Sequence, residues 1–152
     1  MTFDLQAALP QLIPEAITWA EAQSAYIAQA GEPLDATLTA VARSVGVVHP
    51  ELIRIAEVEY LPLPDQPELR QAVLATGLLD RDTVGLTLGH GIFICRGHGT
   101  IRLLSHEFRH VHQYEQAGGI AAYLPVYLQQ IVTYGYSDAP FEVDARAYER
   151  DS

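Results

Sequence analysis

The stretch from residue 101 to residue 117 constrains the fold most, because its pattern is that of an amphipathic helix. Its apolar residues recur at spacings of three, four and three, as on one helix face: Ile101, Leu104, Phe108 and Val111. Thr100 precedes them as a suitable N-cap, and Gly118-Gly119 follows as a stop signal. The pattern predicts a helix that packs its apolar face into a core and turns the opposite face toward a cleft.

The opposite face of this helix carries His106 and His110. Side chains four residues apart lie one above the other on a helix, so both imidazoles can reach one ion. Glu107 lies about 100° further round, where a carboxylate can take a proton from a water on the open side of the ion. The alternative is a coincidental histidine pair, but the caps and the apolar face favour a zinc site.

A catalytic zinc site takes three protein ligands and keeps a fourth position for water. Six later side chains are candidates for the third ligand: His112, Glu115, Asp138, Glu142, Asp144 and Glu149. His112 lies about 120° away from the histidine face, which favours an exposed or hydrogen-bonded imidazole. Glu142 follows Pro140 in the first turns of a second predicted helix, where Ala145 permits close approach to the first. We expect Glu142 to be the ligand; its alternative role is a carboxylate favoured by the helix dipole.

The arrangement of His106, Glu107 and His110, followed by Glu142 and Ala145 on a later helix, resembles the gluzincin group of zinc metallopeptidases, which includes thermolysin. The resemblance covers roughly residues 85–150. It implies one zinc ion per chain, with His106, His110 and Glu142 as ligands and Glu107 as general base. The glycine and third histidine of the metzincin pattern are absent from the sequence after His110.

One part of the gluzincin pattern has no counterpart motif here. These peptidases usually supply a further His, Tyr or Arg that stabilises the oxyanion, and five residues are candidates for that role: His90, His98, Tyr134, Tyr136 and Arg146. The resemblance also implies that an edge strand before the active-site helix pairs with the substrate. On that basis the segment 89–92 is expected to border the cleft.

Composition narrows the classes of function. The 152 residues predict one domain, 1–152, with a helical portion at 1–48 and a metal-site portion at 85–150. The net charge is −10 and all nine cationic residues are Arg, which argues against nucleic-acid and anionic-membrane partners. Cys95 is the only cysteine, so no internal disulfide is expected, and its apolar neighbours favour a buried structural thiol. We expect a cytoplasmic protein.

The remaining patterns predict an α+β domain in which several helices cover a small sheet. Helices are expected from Pro14 to Gly31, from Leu34 to Gly46 and from Pro67 to Thr76. A strand is expected near 53–61, and the segment 85–95 is expected to form a bent strand or a tight hairpin. A further helix follows Gly119, and Pro125 should kink it or mark its start.

Three functions are compatible with these residues. The leading hypothesis is a small zinc-dependent hydrolase of peptide or protein substrates, with zinc-activated water and Glu107 as the base. The alternative is a non-catalytic binding or scaffold domain that retains the metal site. A third is zinc-dependent hydrolysis of another bond, because ligands alone do not fix the substrate.

Overall fold

The computed structural model describes residues 4–80 and 82–152. In this part of the chain the architecture is α+β, as predicted, with six α-helices and three strands. The elements in chain order are α1 (Leu5–Ala30), α2 (Ala36–Ser44), β1 (Arg54–Val58), α3 (Pro67–Ala75), β2 (Gly85–Leu88), β3 (Gly91–Cys95), α4 (Ile101–Ala117), α5 (Ile120–Tyr134) and α6 (Pro140–Ala147). None of these helices combines the length and the apolar character that crossing a bilayer requires.

The sheet is mixed, with strand order β1-β3-β2. Strand β3 pairs in parallel with β1 and antiparallel with β2, so that Phe93 lies opposite both Ala56 and Leu86. All five residues of β3 are buried, as expected for a central strand. Burial also raises the pKa of the Cys95 thiol at its end, which fits a structural thiol rather than a nucleophile.

The segment 85–95 is a hairpin, one of the two predicted forms. Its turn contains Gly89 with a φ of +70°, a conformation that favours glycine. The expectation that 89–92 borders the cleft is wrong, because Gly91 and Ile92 belong to the central strand. The edges of the sheet are β1 and β2, since β3 pairs with β1 on one side and with β2 on the other.

Helix α4 begins and ends where its sequence predicts. The side chain of Thr100 accepts a hydrogen bond from the backbone N–H of Leu103 at 3.2 Å, and Gly118 closes the helix in the left-handed region at φ +103°. Leu104, Phe108 and Val111 are buried in a core cluster with residues of α2 and β3. The apolar face therefore anchors the helix and fixes the direction of the histidine face.

Two helices extend past prolines that were expected to bound or kink them. Helix α1 begins at Leu5 rather than after Pro14, with the Asp4 side chain accepting from the N–H of Ala7. The helix contains two interior prolines, Pro10 and Pro14, which cost roughly 3 kcal/mol each. Burial of Leu9 and Leu12, at roughly 1.5–3 kcal/mol each, offsets a large part of that cost. Helix α5 likewise begins at Ile120, so Pro125 does not mark its start.

Helix α6 packs against α4 and places the predicted third ligand. Pro140 occupies its first turn and Glu142 lies at its third position. Ala145 is fully buried, as expected for a small residue that lets two helices approach closely. The two segments that carry the candidate ligands are therefore neighbours in the fold.

Candidate metal centre

The side chains of His106, His110 and Glu142 converge on one point between α4 and α6. Nε2 of His106 lies 3.1 Å from Oε1 of Glu142, and Nε2 of His110 lies 3.0 Å from Oε2 of the same carboxylate. One ligand atom of each residue lies within 4.8 Å of the others. The three side chains are only 13, 8 and 3 % exposed. This group can hold a metal ion, as the sequence predicted.

Each member of this group has a further partner that orients it. Nδ1 of His106 lies 2.8 Å from Oε2 of Glu149, and Nδ1 of His110 lies 2.8 Å from Oε1 of Gln113. The hydroxyl of Tyr127 donates to Oε2 of Glu142 at 2.7 Å. Acceptors at both Nδ1 atoms favour the tautomers in which Nε2 is free to bind a metal.

The electrostatics of the group favour a positive charge at its centre. Burial by itself lowers the pKa of His110, but the negative charge of Glu142 outweighs burial and raises this pKa to about 9. Burial likewise favours the neutral form of Glu142, but the charge of His110 and hydrogen bonds from both histidines hold its pKa far below its usual range. A proton on His110 thus balances the negative charge of the buried Glu142 carboxylate. A metal cation bound at this position would displace that proton.

Glu107 lies beside the metal group and is held by the edge strand β2. Its side chain is buried, and Oε1 accepts a hydrogen bond from the Thr87 hydroxyl at 2.7 Å. The same hydroxyl lies 3.2 Å from the backbone carbonyl oxygen of Glu107. On the other side, a Cβ at Gly85 would lie only 3.0 Å from Oε2, so glycine leaves room for the carboxylate. The predicted base is therefore pre-positioned.

An open cleft of about 770 Å³ lies in front of these residues. His106 and Glu107 form part of its wall, together with Gly85 of β2 and two tyrosines that follow or end α5, Tyr134 and Tyr136. Since two of the four predicted site residues face this space, a ligand of substantial size can reach them. The cleft therefore opens Glu107 to molecules from solvent.

Three of the five candidates for an oxyanion-stabilising group do not line this cleft. Nε2 of His90 is held 2.9 Å from Oε2 of Glu115. His98 lines a separate groove beside Cys95, and the Arg146 guanidinium donates to the carbonyl oxygen of Ser137. His90 and His98 therefore belong to other parts of the fold, whereas Arg146 is held beside the cleft by Ser137, which lines it.

The remaining two candidates, Tyr134 and Tyr136, both line the cleft. Tyr134 is 56 % exposed, whereas Tyr136 is half-buried and borders Glu107 and Glu142. Burial, with the charges of Glu142 and Glu107, raises the pKa of Tyr136 well above its ordinary value. Its hydroxyl therefore stays protonated and can donate a hydrogen bond at neutral pH.

The other candidate ligands have structural partners instead. His112 Nδ1 lies 2.9 Å from the carbonyl oxygen of Gly46, in keeping with the predicted hydrogen-bonded imidazole. Asp144 pairs with Arg109 at 2.8 Å, and Asp138 lines the cleft without joining the metal group. Glu149 stands behind His106 rather than on the ion side.

Four functional residues were not found from the sequence: Thr87, Gln113, Tyr127 and Glu149. The contact of Gln113 could have been predicted, because Gln113 lies three residues after His110 and so on the same helix face. Thr87 and Tyr127 reach the site from β2 and α5, and their sequence context gives no indication of it. Glu149 was considered only as a ligand.

No protein-family model, no curated protein and no solved structure matches this chain at a significant level. The resemblance to zinc peptidases therefore rests on the four residues of the site and on their geometry.

Proposed function

We propose that this protein is a zinc-dependent hydrolase, and that peptide bonds are its substrates. The observation that carries the proposal is the convergence of His106, His110 and Glu142 beside the buried carboxylate of Glu107. Metal binding alone would not require Glu107. A carboxylate that is held next to the metal group and faces an open cleft has the position of a general base.

Two imidazoles and one carboxylate are a donor set that catalytic zinc sites use. The same set also serves non-haem iron(II) oxygenases, whereas a carboxylate beside a metal-activated water serves hydrolysis. Glu107 thus favours zinc over iron in this proposal. When bound, zinc supplies a Lewis acid that polarises a carbonyl group and lowers the pKa of water.

The chain's own residues supply the proton transfers. Glu107 takes a proton from the attacking water as the water oxygen bonds to the carbonyl carbon, and passes that proton to the amine nitrogen as the C–N bond breaks. Thr87 and Gly85 keep the carboxylate in place. Tyr136, which lines the cleft together with Glu107, is the candidate donor to the oxygen that gains negative charge.

Strand β2 favours a peptide over other substrates. It is an edge strand in the described sheet, and its residue Gly85 lines the cleft beside Glu107. The outer backbone groups of an edge strand can pair with an extended peptide. The carbonyl oxygen of Thr87 already accepts from Tyr114, so on β2 this pairing would be made at Gly85. An extended chain on β2 would pass in front of His106 and Glu107.

The test is metal analysis followed by peptide-library cleavage with Glu107→Gln. We expect one zinc per chain in both proteins, and a loss of turnover of about 10²–10⁴-fold in the variant, since it removes the proton acceptor and preserves shape. Glu21→Gln makes the same change on the exposed side of α1 and should leave turnover unchanged. A zinc-dependent cleavage that survives in Glu107→Gln would contradict the mechanism.

A non-catalytic binding domain that retains the metal site is the second candidate function. It predicts that Glu107→Gln and the unmodified protein bind a partner with equal affinity and that neither turns over a library peptide. Bound iron in place of zinc would contradict the zinc-dependent hydrolase.

A further inference from the structure

A second space, distinct from the open cleft, lies on the inner side of the metal centre. It is a largely apolar cavity of about 70 Å³. Leu86 and Leu88 of β2 and Ala16 and Ala20 of α1 line it. Gly85, Glu107 and Tyr136 border both this cavity and the cleft, so the two spaces meet at the general base.

The wall of this cavity differs from that of an ordinary packing void. Three ionisable groups of the candidate centre border it: Glu107, His110 and Glu142. Voids left in a hydrophobic core are bordered by apolar groups, because a charge beside an empty apolar space is costly. A cavity that opens at the reactive groups has the character of a binding pocket.

The aromatic side of the cavity is rigid. Tyr123 stacks on Tyr114 with ring centroids 3.8 Å apart and on Tyr127 with centroids 5.5 Å apart. All three hydroxyls are hydrogen-bonded, to Gln113, the Thr87 carbonyl oxygen and Glu142 respectively. These polar atoms are therefore committed to the protein, and the rings present apolar surface to the space between them and α1.

We infer that this cavity receives one aliphatic side chain of the substrate, of three or four carbons, and that Ala16 and Ala20 set its size limit. The inference rests on the proposed hydrolase function, since it gives the cavity a role in substrate choice. An apolar cavity of roughly 150 Å³ accepts benzene, with six carbons. A cavity of about 70 Å³ has room for roughly half as many. A valine or leucine side chain fits, and an aromatic ring does not.

The two alanines lie four residues apart on the buried face of α1, 7 and 1 % exposed. A side chain larger than alanine at either position would project into the cavity. This gives the N-terminal helix a part in substrate choice as well as in the scaffold.

The test uses primary amides that carry the side chain as their alkyl group: acetamide, 3-methylbutanamide and phenylacetamide. Binding is followed by NMR titration of the whole chain, without metal and after zinc loading. Each buried methylene strengthens binding by roughly fourfold, so 3-methylbutanamide should bind at least tenfold more tightly than acetamide. Phenylacetamide should bind more weakly than 3-methylbutanamide.

Ala20→Val should reduce the preference for 3-methylbutanamide over acetamide to threefold or less. Ala72→Val is the matched control, because Ala72 lines a different cavity, of about 30 Å³, that lacks all of the metal-site residues. It should keep the full preference. If Ala20→Val fails to fold, Leu86→Ala tests the same cavity by enlarging it and should shift the preference toward phenylacetamide.

Equal affinity for the three amides, or a preference that survives both Ala20→Val and Leu86→Ala, would overturn the inference. The readout needs neither hydrolysis nor zinc. A chain that shows the preference but cleaves no peptide would keep the selectivity of the cavity for an aliphatic group and refute the proposed function. A chain that cleaves peptides without the preference would keep the proposed function and refute the role of the cavity in substrate choice.

Discussion

Two carboxylates with little exposed surface, Glu142 of α6 and Glu115 of α4, both contact histidines but have different roles. Glu142 meets His106 and His110 through their Nε2 atoms, at 3.1 and 3.0 Å. Glu115 accepts hydrogen bonds from the backbone N–H groups of Val48 and His49 at 2.8 and 3.0 Å, and lies against His90. Both carboxylates are at most 8 % exposed.

The difference lies in whether the partners can give way to an ion. Backbone amides cannot lose their protons, so Glu115 is committed to fastening the loop before β1 to α4. The histidines around Glu142 can lose protons and present lone pairs to a cation. The Glu142 group is the more enclosed, since His90 beside Glu115 is 31 % exposed, and the chemistry of the partners separates the structural contact from the candidate metal site.

The largest expected effect is the loss of a ligand. His110→Ala removes one of three protein ligands, so zinc affinity should fall by more than the roughly 10- to 100-fold that loss of an outer partner costs. Glu115→Gln should leave zinc affinity unchanged, because Glu115 belongs to the other cluster. Competition titration with a chelator measures both. Equal affinity in His110→Ala and the unmodified protein would place the metal elsewhere.

Loss of the outer partner of His106 should have the next largest effect. Glu149→Ala removes the carboxylate at Nδ1, and zinc affinity should fall roughly 10- to 100-fold. Asp151→Ala is a matched control, since Asp151 and Glu149 both pair with Arg102 at 3.1 Å but only Glu149 contacts His106. Equal losses in both variants would assign the effect to Arg102 instead.

Thr87→Val should reduce turnover without reducing zinc affinity. It removes the hydroxyl that holds Glu107, and hydrogen bonds to charged groups contribute about 1.5–3 kcal/mol, or roughly 10- to 150-fold in rate. Thr87→Ser keeps the donor and should restore most of the rate. A merely structural Thr87 would leave the pH dependence of the rate unchanged in Thr87→Val, whereas a positioning residue should shift it.

The parts of the site that could be predicted from the sequence depend on local patterns. The caps and apolar face of α4 and the proline at the head of α6 lie within a few residues of what they determine. The spacing of His106 and His110 depends only on helix geometry. These predictions were confirmed because contacts between distant residues do not change the features that they describe.

The errors came from interactions between distant residues. The segment 89–92 was placed at the cleft because its pairing with β1 cannot be seen in the hairpin itself. The start of α1 was placed too late because the local rule for proline takes no account of the burial of Leu9 and Leu12, which offsets the cost of Pro10 and Pro14. Thr87 and Tyr127 reach the site from other elements for the same reason.

Removal of the metal should lower stability without unfolding the chain. The core clusters draw on α1, α2, α4, α5 and the sheet, and most of their members do not touch the metal group. Bound metal adds RT ln(1 + [L]/Kd), so chelation should lower Tm while helicity is retained. Circular dichroism before and after chelation measures this. Complete loss of helicity at room temperature would make the metal structural and weaken the hydrolase proposal.

The smallest expected effect concerns the acid stability supplied by Glu115. Burial raises the pKa of this carboxyl, but the amides of Val48 and His49 and the contact with His90 outweigh burial and hold the pKa below its usual range. A carboxyl with a lowered folded-state pKa stabilises the fold above its unfolded pKa, and this stabilisation is lost as pH falls through the folded value. Glu115→Gln should therefore destabilise the protein at neutral pH, and the difference from the unmodified protein should shrink below about pH 4. Urea unfolding of the metal-free protein across this range isolates the effect from the metal group, and a difference that is constant with pH would show that the charge of Glu115 has no part in holding the loop.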